Sequence, residues 1–233
     1  MGGVSQIEAE YSVFECAFKH GPYLIYHLIS GVDLPIKTQD YIHNFIMKHP
    51  HTEFLSIQFD DETNHNIELK TRYYHFLIRY ARHPNFRIRK IAAYIRSYSI
   101  RFQQLIGVKR HYPMKLYKGA NWCSITNELL EYILSKKNDV LSMFRHTFCC
   151  DEIFLQTLVW NSGFRTHVYH YQGKYSSLRE IDWGKGNPYT WGADSQELSK
   201  EHDLSTLVKS KNLFARKFSM RYDWIIKEVE SII

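Results

Sequence analysis

Apolar segments of two kinds alternate along the chain, and this alternation limits the folds that it can adopt. "SQIEAEYSVFECAFKH" and "TQDYIHNFIMKH" repeat their apolar residues at helical spacing, whereas "PYLIYHLIS" and "TEFLSIQF" are short, dense apolar runs typical of buried strands. Because alternating helices and strands pack around a largely parallel sheet, the pattern predicts an α/β fold. Such folds bind their ligands at the ends of the strands.

The rest of the chain continues the alternation, without an internal repeat or a linker rich in Gly, Pro or Ser. A strand and turn are predicted for "MKLYKGANWCSI", and an alternating strand for "RTHVYHYQG". In the first helix, Ser5 and Glu8 have the spacing of a capping box. The simplest organisation is a single domain over residues 1–233. Further helices are predicted for "NELLEYILSKK", "CCDEIFLQTLVWN", "DLSTLVKSKNLFARKF" and "DWIIKEVESII".

The composition is that of a globular protein. With 233 residues, of which 44% are hydrophobic, the chain can bury a sizeable core. No apolar run approaches the roughly 20 residues that span a bilayer, and the N-terminal sequence lacks the pattern of a secretion signal. Four cysteines without Cys-x-x-Cys spacing indicate reduced thiols and no zinc site. The expected location is the cytoplasm.

Basic residues are concentrated in one part of the chain. The net charge is +6, and no acidic residue lies between Glu68 and Glu128. A basic amphipathic helix is predicted within about 76–110, with apolar residues on one face and basic residues on another. The apolar stripe consists of Ile88, Ile91, Ile95, Phe102 and Leu105, and the basic face carries Arg87, Lys90 and Arg101.

This basic segment has three interpretations. Its charges are a solvated surface over a core-facing stripe, or they contact an anionic membrane, or they contact nucleic acid. Between the two binding roles we favour the membrane, because a strong apolar stripe accompanies the charges. In that case the protein lies peripherally at the inner face of the membrane.

Asp33 lies in the turn "SGVDLPIKT", directly after the first predicted strand. The loop that leaves the end of a parallel strand is where α/β folds bind their ligands. The carboxylate is therefore a candidate to bind a hydroxyl or an amine. An Asp in a turn more often accepts hydrogen bonds from nearby backbone, so the spacing leaves both roles open.

Glu152 lies in the first turn of the helix predicted for "CCDEIFLQTLVWN", with Asp151 as the predicted cap. The helix dipole favours a negative charge at this position. An ionised carboxylate in a fixed position is what a general base requires. Acidic residues also begin helices for stability alone, so the position by itself leaves both roles open.

Adjacent cations and adjacent acids form two further candidate sites. Arg216 and Lys217 can stabilise the charge that develops on a diphosphate leaving group, or they can be partners of a helix dipole. Asp60, Asp61 and Glu62 follow a predicted strand but lack Asp-x-Asp spacing, and a polar turn explains them equally well. We therefore assign no metal site.

Six segments, in their order along the chain, resemble the core-2/I-branching enzyme family of glycosyltransferases, especially its bacterial members. The resemblance implies a GT-A type α/β fold with a Rossmann-like sheet. It also implies inverting transfer of a sugar from a nucleotide diphosphate donor to an acceptor hydroxyl, without a metal cofactor. The matching segments are "GGVSQIEAE", "YHLISGVDLPIKT", "LYKGANWCSIT", "DEIFLQTLVWNS", "LREIDW" and "LFARKF".

The resemblance also implies roles for individual residues. Glu152 matches the carboxylate that deprotonates the acceptor hydroxyl. Lys217, together with Arg216, matches the cationic site that stabilises the departing diphosphate. The remaining matches are Asp33 beside the donor pocket, Trp122 and Trp183 at the acceptor sugar, and Arg179 near the phosphates.

Two departures from the family pattern refine these expectations. Family members usually carry a further strand and loop before the segment that matches "GGVSQ", so we expect an N-terminally shortened fold. Asn121 replaces an acid of the xylosyltransferase branch, so xylose is not the expected donor.

The sequence therefore predicts a metal-independent, inverting glycosyltransferase. Its expected donor is a UDP-sugar such as UDP-N-acetylglucosamine, and its expected acceptor is a glycan or a lipid-linked glycan. The alternative is a catalytically impaired module that binds a membrane surface or nucleic acid through residues 72–118.

Overall fold

Helices and short strands alternate in the computed structural model, which describes residues 3–81, 83–184, 188–194 and 196–233. The helices are α1 (Val4–Lys19), α2 (Gln39–Met47), α3 (Asp61–Thr71), α4 (Phe86–Leu105), α5 (Asn127–Ser135), α6 (Lys137–Phe144), α7 (Asp151–Trp160), α8 (Glu197–Lys209) and α9 (Asp223–Ile232). The strands are β1 (Ile25–Leu28), β2 (Asp33–Pro35), β3 (Cys123–Thr126), β4 (His170–Tyr171), β5 (Lys174–Tyr175), β6 (Arg179–Ile181) and β7 (Phe214–Arg216).

The strands form small sheets in which antiparallel pairing predominates. β1 pairs with β3, and β4 pairs with β5, both antiparallel. A three-stranded sheet has the order β2-β7-β6, with β7 antiparallel to β2 and parallel to β6. The α/β prediction is confirmed, but the prediction of a largely parallel sheet is wrong for the described residues. A dense apolar run indicates that a strand is buried. It does not indicate whether the neighbouring strand is parallel or antiparallel.

The segment "TEFLSIQF" is extended but does not form a regular strand. Glu53 and Phe54 make single bridges to Val168 and Ser124, and Gln58 makes one to Lys118. These bridges attach the segment to three different parts of the chain. It therefore connects β3, the residues that precede β3, and Val168, which lies just before β4.

The main hydrophobic core lies between α1, the β1–β3 pair, α5 and α7. The helical spacing in α1 places Ile7, Tyr11 and Phe14 on its buried face. Each fully buried side chain of this size contributes about 1.5–3 kcal/mol to stability. A second cluster joins α8, α9 and β7, and it includes Trp191, Leu207, Ala215, Phe218 and Ile225.

Short polar side chains fix the starts of several helices. Thr38 caps α2, Asp60 caps α3, Asn85 caps α4 and Thr126 caps α5, each by accepting a hydrogen bond from a backbone N–H of the first turn. The acidic residues 60–62, for which a polar turn was one explanation, are the N-cap and the first turn of α3. The predicted capping box is wrong: Gly3 is the N-cap of α1, so Ser5 already lies inside the helix.

The segment that carries Arg216 was predicted to be helical, and this prediction is wrong. α8 ends at Lys209, because the chain turns at Ser210 and then runs beside β6 as β7. The Glu180 carboxylate fixes the turn by accepting hydrogen bonds from Ser210 Oγ at 2.6 Å and Asn212 Nδ2 at 2.8 Å. Arg216 is therefore the last residue of a strand. The apolar residues around it are nevertheless buried in the core, as the sequence predicted.

Of the three interpretations of the basic segment, the one in which the apolar stripe of α4 faces the core is wrong. Ile91, Phe102 and Leu105 are 59%, 62% and 86% exposed. The buried residues of this helix are Ala92 and Gln103, which lie on a different face. No helix in the described ranges combines the length and the apolar character needed to cross a bilayer.

Candidate active site

A cleft of about 380 Å³ opens between the start of α7, the segment 118–120 and the strands β5 and β6. Its wall carries a carboxylate, two aromatic rings and several cations, a mixture of groups that suits a polar, ring-shaped ligand. The lining residues that bear on the chemistry are Lys118, Glu152, Lys174, Tyr175, Arg179 and Trp183.

Glu152 lies on the wall of this cleft, in the first turn of α7. Its carboxylate accepts a hydrogen bond from Lys70 Nζ at 2.8 Å, and Lys118 Nζ lies 3.6 Å away. Its side chain is 41% exposed, whereas both lysine side chains are largely buried. The two ammonium groups thus fix a carboxylate that a ligand in the cleft can reach. Lys70 and Lys118 were not singled out in the sequence.

Gly119 brings the segment 118–120 close to Glu152. Its N–H donates to the Glu152 carbonyl oxygen at 3.0 Å. A Cβ at this position would lie 1.8 Å from the Ser56 carbonyl oxygen, so only glycine fits. Ala120 N–H donates to Ser56 Oγ at 2.7 Å, and Gln156 Nε2 donates to the Ala120 carbonyl at 2.8 Å. Hydrogen bonds to the backbone of residues 119 and 120 therefore fix the floor of the cleft.

Arg179 also lines the cleft but is mainly a structural residue. Its guanidinium donates to the carbonyl oxygens of Leu28 at 3.1 Å and Cys123 at 2.7 Å, and to Ser124 Oγ at 2.8 Å. It therefore ties β1 and β3 to β6. Burial lowers the pKa of Arg179 to about 10, so the group stays cationic at neutral pH. Its Nε is buried and has no hydrogen-bond partner among the described residues.

Asp33, Arg216 and Trp122 form a second cluster. One Arg216 nitrogen donates to Asp33 Oδ1 at 2.8 Å and to Ser30 Oγ at 2.6 Å. The guanidinium carbon lies 4.5 Å from the centroid of the Trp122 ring. The Asp33 side chain is fully buried, and its second oxygen accepts from the Ser30 N–H at 2.8 Å. The Asp33 carboxylate is therefore closed to a ligand, and its contacts hold Arg216 in place.

The cluster around Arg216 lies one strand away from the cleft. Arg216 on β7 is the register partner of Ile181 on β6, and Ile181 lines the cleft. Among the described residues that line the cleft, neither Arg216 nor Lys217 occurs. Lys217 is exposed and follows Arg216 at the end of β7. The structure thus brings Glu152 and Trp183 together and groups Asp33, Trp122 and Arg216 beside them.

Two buried acids lie behind Glu152, and neither was predicted as a site residue. Glu10 accepts a hydrogen bond from Asn121 Nδ2 at 2.9 Å, and Asp151 accepts one from Gln6 Nε2 at 2.8 Å. Burial raises the pKa of Glu10 to about 8 and also raises the pKa of Asp151. Asp151 is thus the buried first residue of α7, and Cys150 is the N-cap, so the predicted cap is wrong.

The fold and the cleft define a mixed α/β protein with a carboxylate and cations arranged around a sugar-sized opening. Residues 1–208 match the model of the Core-2/I-Branching enzyme family. The chain belongs to this family, which is a family of glycosyltransferases, and the predicted family is confirmed. Membership implies a nucleotide-sugar donor and a glycan acceptor. No curated protein sequence matches the chain.

Proposed function

We propose that this protein is an inverting glycosyltransferase of GT-A type that transfers N-acetylglucosamine from UDP-N-acetylglucosamine to a hydroxyl of a glycan, without a metal cofactor. The observation that carries the proposal is the position of Glu152, whose partly exposed carboxylate lies in the wall of the cleft beside Trp183. Family membership supports the class of reaction. The donor sugar and the independence of metal are parts of the proposal.

In the proposed reaction, Glu152 accepts the proton of the acceptor hydroxyl as the oxygen attacks the anomeric carbon. The bond between that carbon and the diphosphate oxygen breaks on the opposite face of the sugar, which inverts the configuration. The contact at 2.8 Å with Lys70 Nζ holds the carboxylate in one orientation. The exposed ring of Trp183 offers an apolar face for stacking of the acceptor sugar.

The departing diphosphate gains negative charge, and Arg216 with Lys217 is proposed to stabilise it. The ion pair with buried Asp33 and the ring of Trp122 fix the Arg216 guanidinium before the donor binds. A cation that needs no rearrangement during the reaction stabilises the transition state more effectively. Asp33 therefore has a positioning role in this mechanism, and Trp122 shares it.

The replacement Glu152→Gln tests the proposal, because it keeps the shape of the side chain and removes the base. We expect turnover with UDP-N-acetylglucosamine and a glycan acceptor to fall by about 100-fold or more. The melting temperature should fall by a few degrees, because Lys70 and Lys118 lose their charged partner. Its increase on addition of UDP should stay close to that of the unmodified protein. Glu128→Gln is the matched control, since Glu128 also lies in the first turn of a helix but outside the cleft.

Three experimental outcomes would contradict different parts of the proposal. Full turnover by the Glu152→Gln variant would remove this residue from the mechanism. Turnover that disappears with EDTA and returns with a divalent cation would contradict independence of metal. A panel of nucleotide sugars, read by product formation, identifies the donor, and preference for another sugar would correct the choice of N-acetylglucosamine.

A further inference from the structure

Helix α4 presents an apolar stripe to the solvent along its whole length. Residues at intervals of three and four, which lie within an arc of roughly 100° on a helix, have exposed fractions between 39% and 86%. An apolar groove of about 170 Å³ between α4 and the turn at Ile78–Tyr80 continues this surface. In the structure, Tyr98 joins the five residues of the predicted stripe, which therefore consists of Ile88, Ile91, Ile95, Tyr98, Phe102 and Leu105.

A neighbouring face of α4 fixes this orientation. Ala92 and Gln103 are its buried residues. The Gln103 amide accepts from the Tyr74 N–H at 2.8 Å and donates to the Tyr74 carbonyl at 2.9 Å. Arg96 lies over the ring of Phe148 at 5.3 Å. Because the small and polar residues pack against the protein, the large apolar residues of the stripe are left on the outside.

Basic side chains border the stripe. Arg87, Lys90 and Arg101 are exposed, and none of them pairs with a carboxylate within the residues that the structure describes. Lys90 Nζ lies 5.9 Å from the Tyr94 ring centroid, and the Arg101 guanidinium lies 6.0 Å from that of Tyr98. The sequence places no acid within this segment to oppose an anionic surface.

We propose that α4 is a docking surface for an anionic membrane, on which it lies parallel to the bilayer plane. Its 20 residues form a rod about 30 Å long. The apolar stripe would insert among the acyl chains near the headgroups, and the bordering cations would contact anionic lipids. A duplex or single strand of nucleic acid would use the cations but leave the exposed isoleucines and leucine in water. The exposed apolar stripe and the bordering cations together therefore favour a lipid surface over nucleic acid.

Sedimentation with vesicles of phosphatidylcholine, with and without phosphatidylglycerol, tests this proposal on the full chain. We expect binding to the anionic vesicles and at least tenfold weaker binding to the neutral ones. The double variant Ile91→Gln/Phe102→Gln should bind the anionic vesicles at least tenfold more weakly. The triple variant Arg87→Gln/Lys90→Gln/Arg101→Gln should lose affinity by roughly 100-fold.

The matched control is Val13→Gln/Leu198→Gln, which removes two apolar side chains that are 55% and 81% exposed on other helices. This control should bind as tightly as the unmodified protein, and circular dichroism should give the same helix content for all variants. Equal binding by the α4 variants and the unmodified protein would overturn the proposal. Tighter binding to oligonucleotides than to vesicles, or a dimer formed through the stripe without vesicle binding, would overturn it as well.

Discussion

At the scale of single residues, Asp33 illustrates how a buried carboxylate controls a cation that a ligand can contact. Its side chain is closed to solvent, while the Arg216 side chain that it holds is 19% exposed. Burying a charge is costly unless a partner compensates it, and here each group compensates the other. The turn at Ser30 and the β2–β7 register are both needed to bring the two together.

The variant Asp33→Asn should therefore weaken both stability and donor binding. Arg216 would keep its position between Ser30 and Trp122 but lose its charged partner. We expect the free energy of unfolding in urea to fall by about 3 kcal/mol. The KM for the donor should increase while the KM for the acceptor stays constant.

Asp203→Asn is a suitable control for Asp33→Asn. Asp203 is also buried, but within the described residues it accepts from neutral groups, the Gly192 N–H and the Tyr189 hydroxyl. Its replacement leaves no cation unpaired, so we expect a smaller loss of about 1 kcal/mol. Equal losses for the two variants, with an unchanged donor KM, would contradict the positioning role of Asp33.

Local sequence pattern predicts some residues of the site but not others, for a physical reason. The position of Glu152 in the first turn of a helix follows from local pattern, and the structure agrees. Its partner Lys70 lies 82 positions away in the sequence, so local spacing has no bearing on the contact. The Glu10–Asn121 pair also depends on tertiary packing, although Glu10 faces the core at helical spacing in α1.

At the scale of elements, amphipathic helices were the most predictable part of this fold, and short strands were the least. α1, α2, α5, α7 and α9 lie where the apolar periodicity places them. β2, β6 and β7 have three residues each, which is too short for a recognisable period. α4 was predicted from its period, but the period left open whether its stripe faces the core or the solvent, because exposed apolar residues leave the same pattern as buried ones.

At the same scale, residues 118–120 contact both Ser56 and α7, and Gly119→Ala should disrupt this contact. The added Cβ would meet the Ser56 carbonyl oxygen at 1.8 Å, and a backbone atom cannot move as a flexible side chain does. We expect the free energy of unfolding to fall by roughly 1–3 kcal/mol. Turnover should fall further than stability accounts for, because Gly119 bonds to the backbone of Glu152.

Gly163→Ala provides the comparison for this variant. A Cβ at Gly163 would meet no atom within 4 Å, so its urea midpoint should match that of the unmodified protein. If Gly119→Ala also unfolds at the unmodified midpoint and retains full turnover, the close approach at Ser56 does not constrain the cleft.

At the scale of the whole molecule, buried polar groups connect sheets that are too small to hold the fold by strand pairing alone. Arg179 joins β1, β3 and β6, as described above. The Glu53 carboxylate accepts from the Thr126 N–H at 2.9 Å and from its hydroxyl at 2.5 Å, which joins the extended segment to the start of α5. Such groups specify one arrangement of the elements, because any other would leave them buried without partners.

These buried acids also make stability depend on pH. Burial raises the pKa of Glu10 from 4.5 to about 8 and that of Glu53 to about 7. The folded protein therefore binds protons that the unfolded chain has released above about pH 4.5. The resulting stability is fully present below that pH and is lost as the pH rises through the folded-state pKa values.

Between pH 6.5 and 8.5, Glu10 alone should reduce the free energy of unfolding by about 2 kcal/mol. Glu10→Gln resembles the protonated acid in shape and retains an amide oxygen that accepts from Asn121. We therefore expect this variant to lose less stability over the same interval and to be the more stable protein at pH 8.5. Urea unfolding at several pH values measures both slopes.

Glu8→Gln is the appropriate control, since Glu8 lies on the same helix but is exposed. It should show the pH dependence of the unmodified protein, because Glu10 and Glu53 are unchanged in this variant. Histidines with lowered pKa values, such as His27 and His75, titrate below this interval and affect all three proteins equally. Identical slopes for Glu10→Gln and the unmodified protein would mean that Glu10 ionises normally in the folded state. The acid–amide pair at Asn121 would then be an ordinary charged contact, and the stability of this molecule at neutral pH would not depend on a carboxylic acid kept protonated behind the cleft.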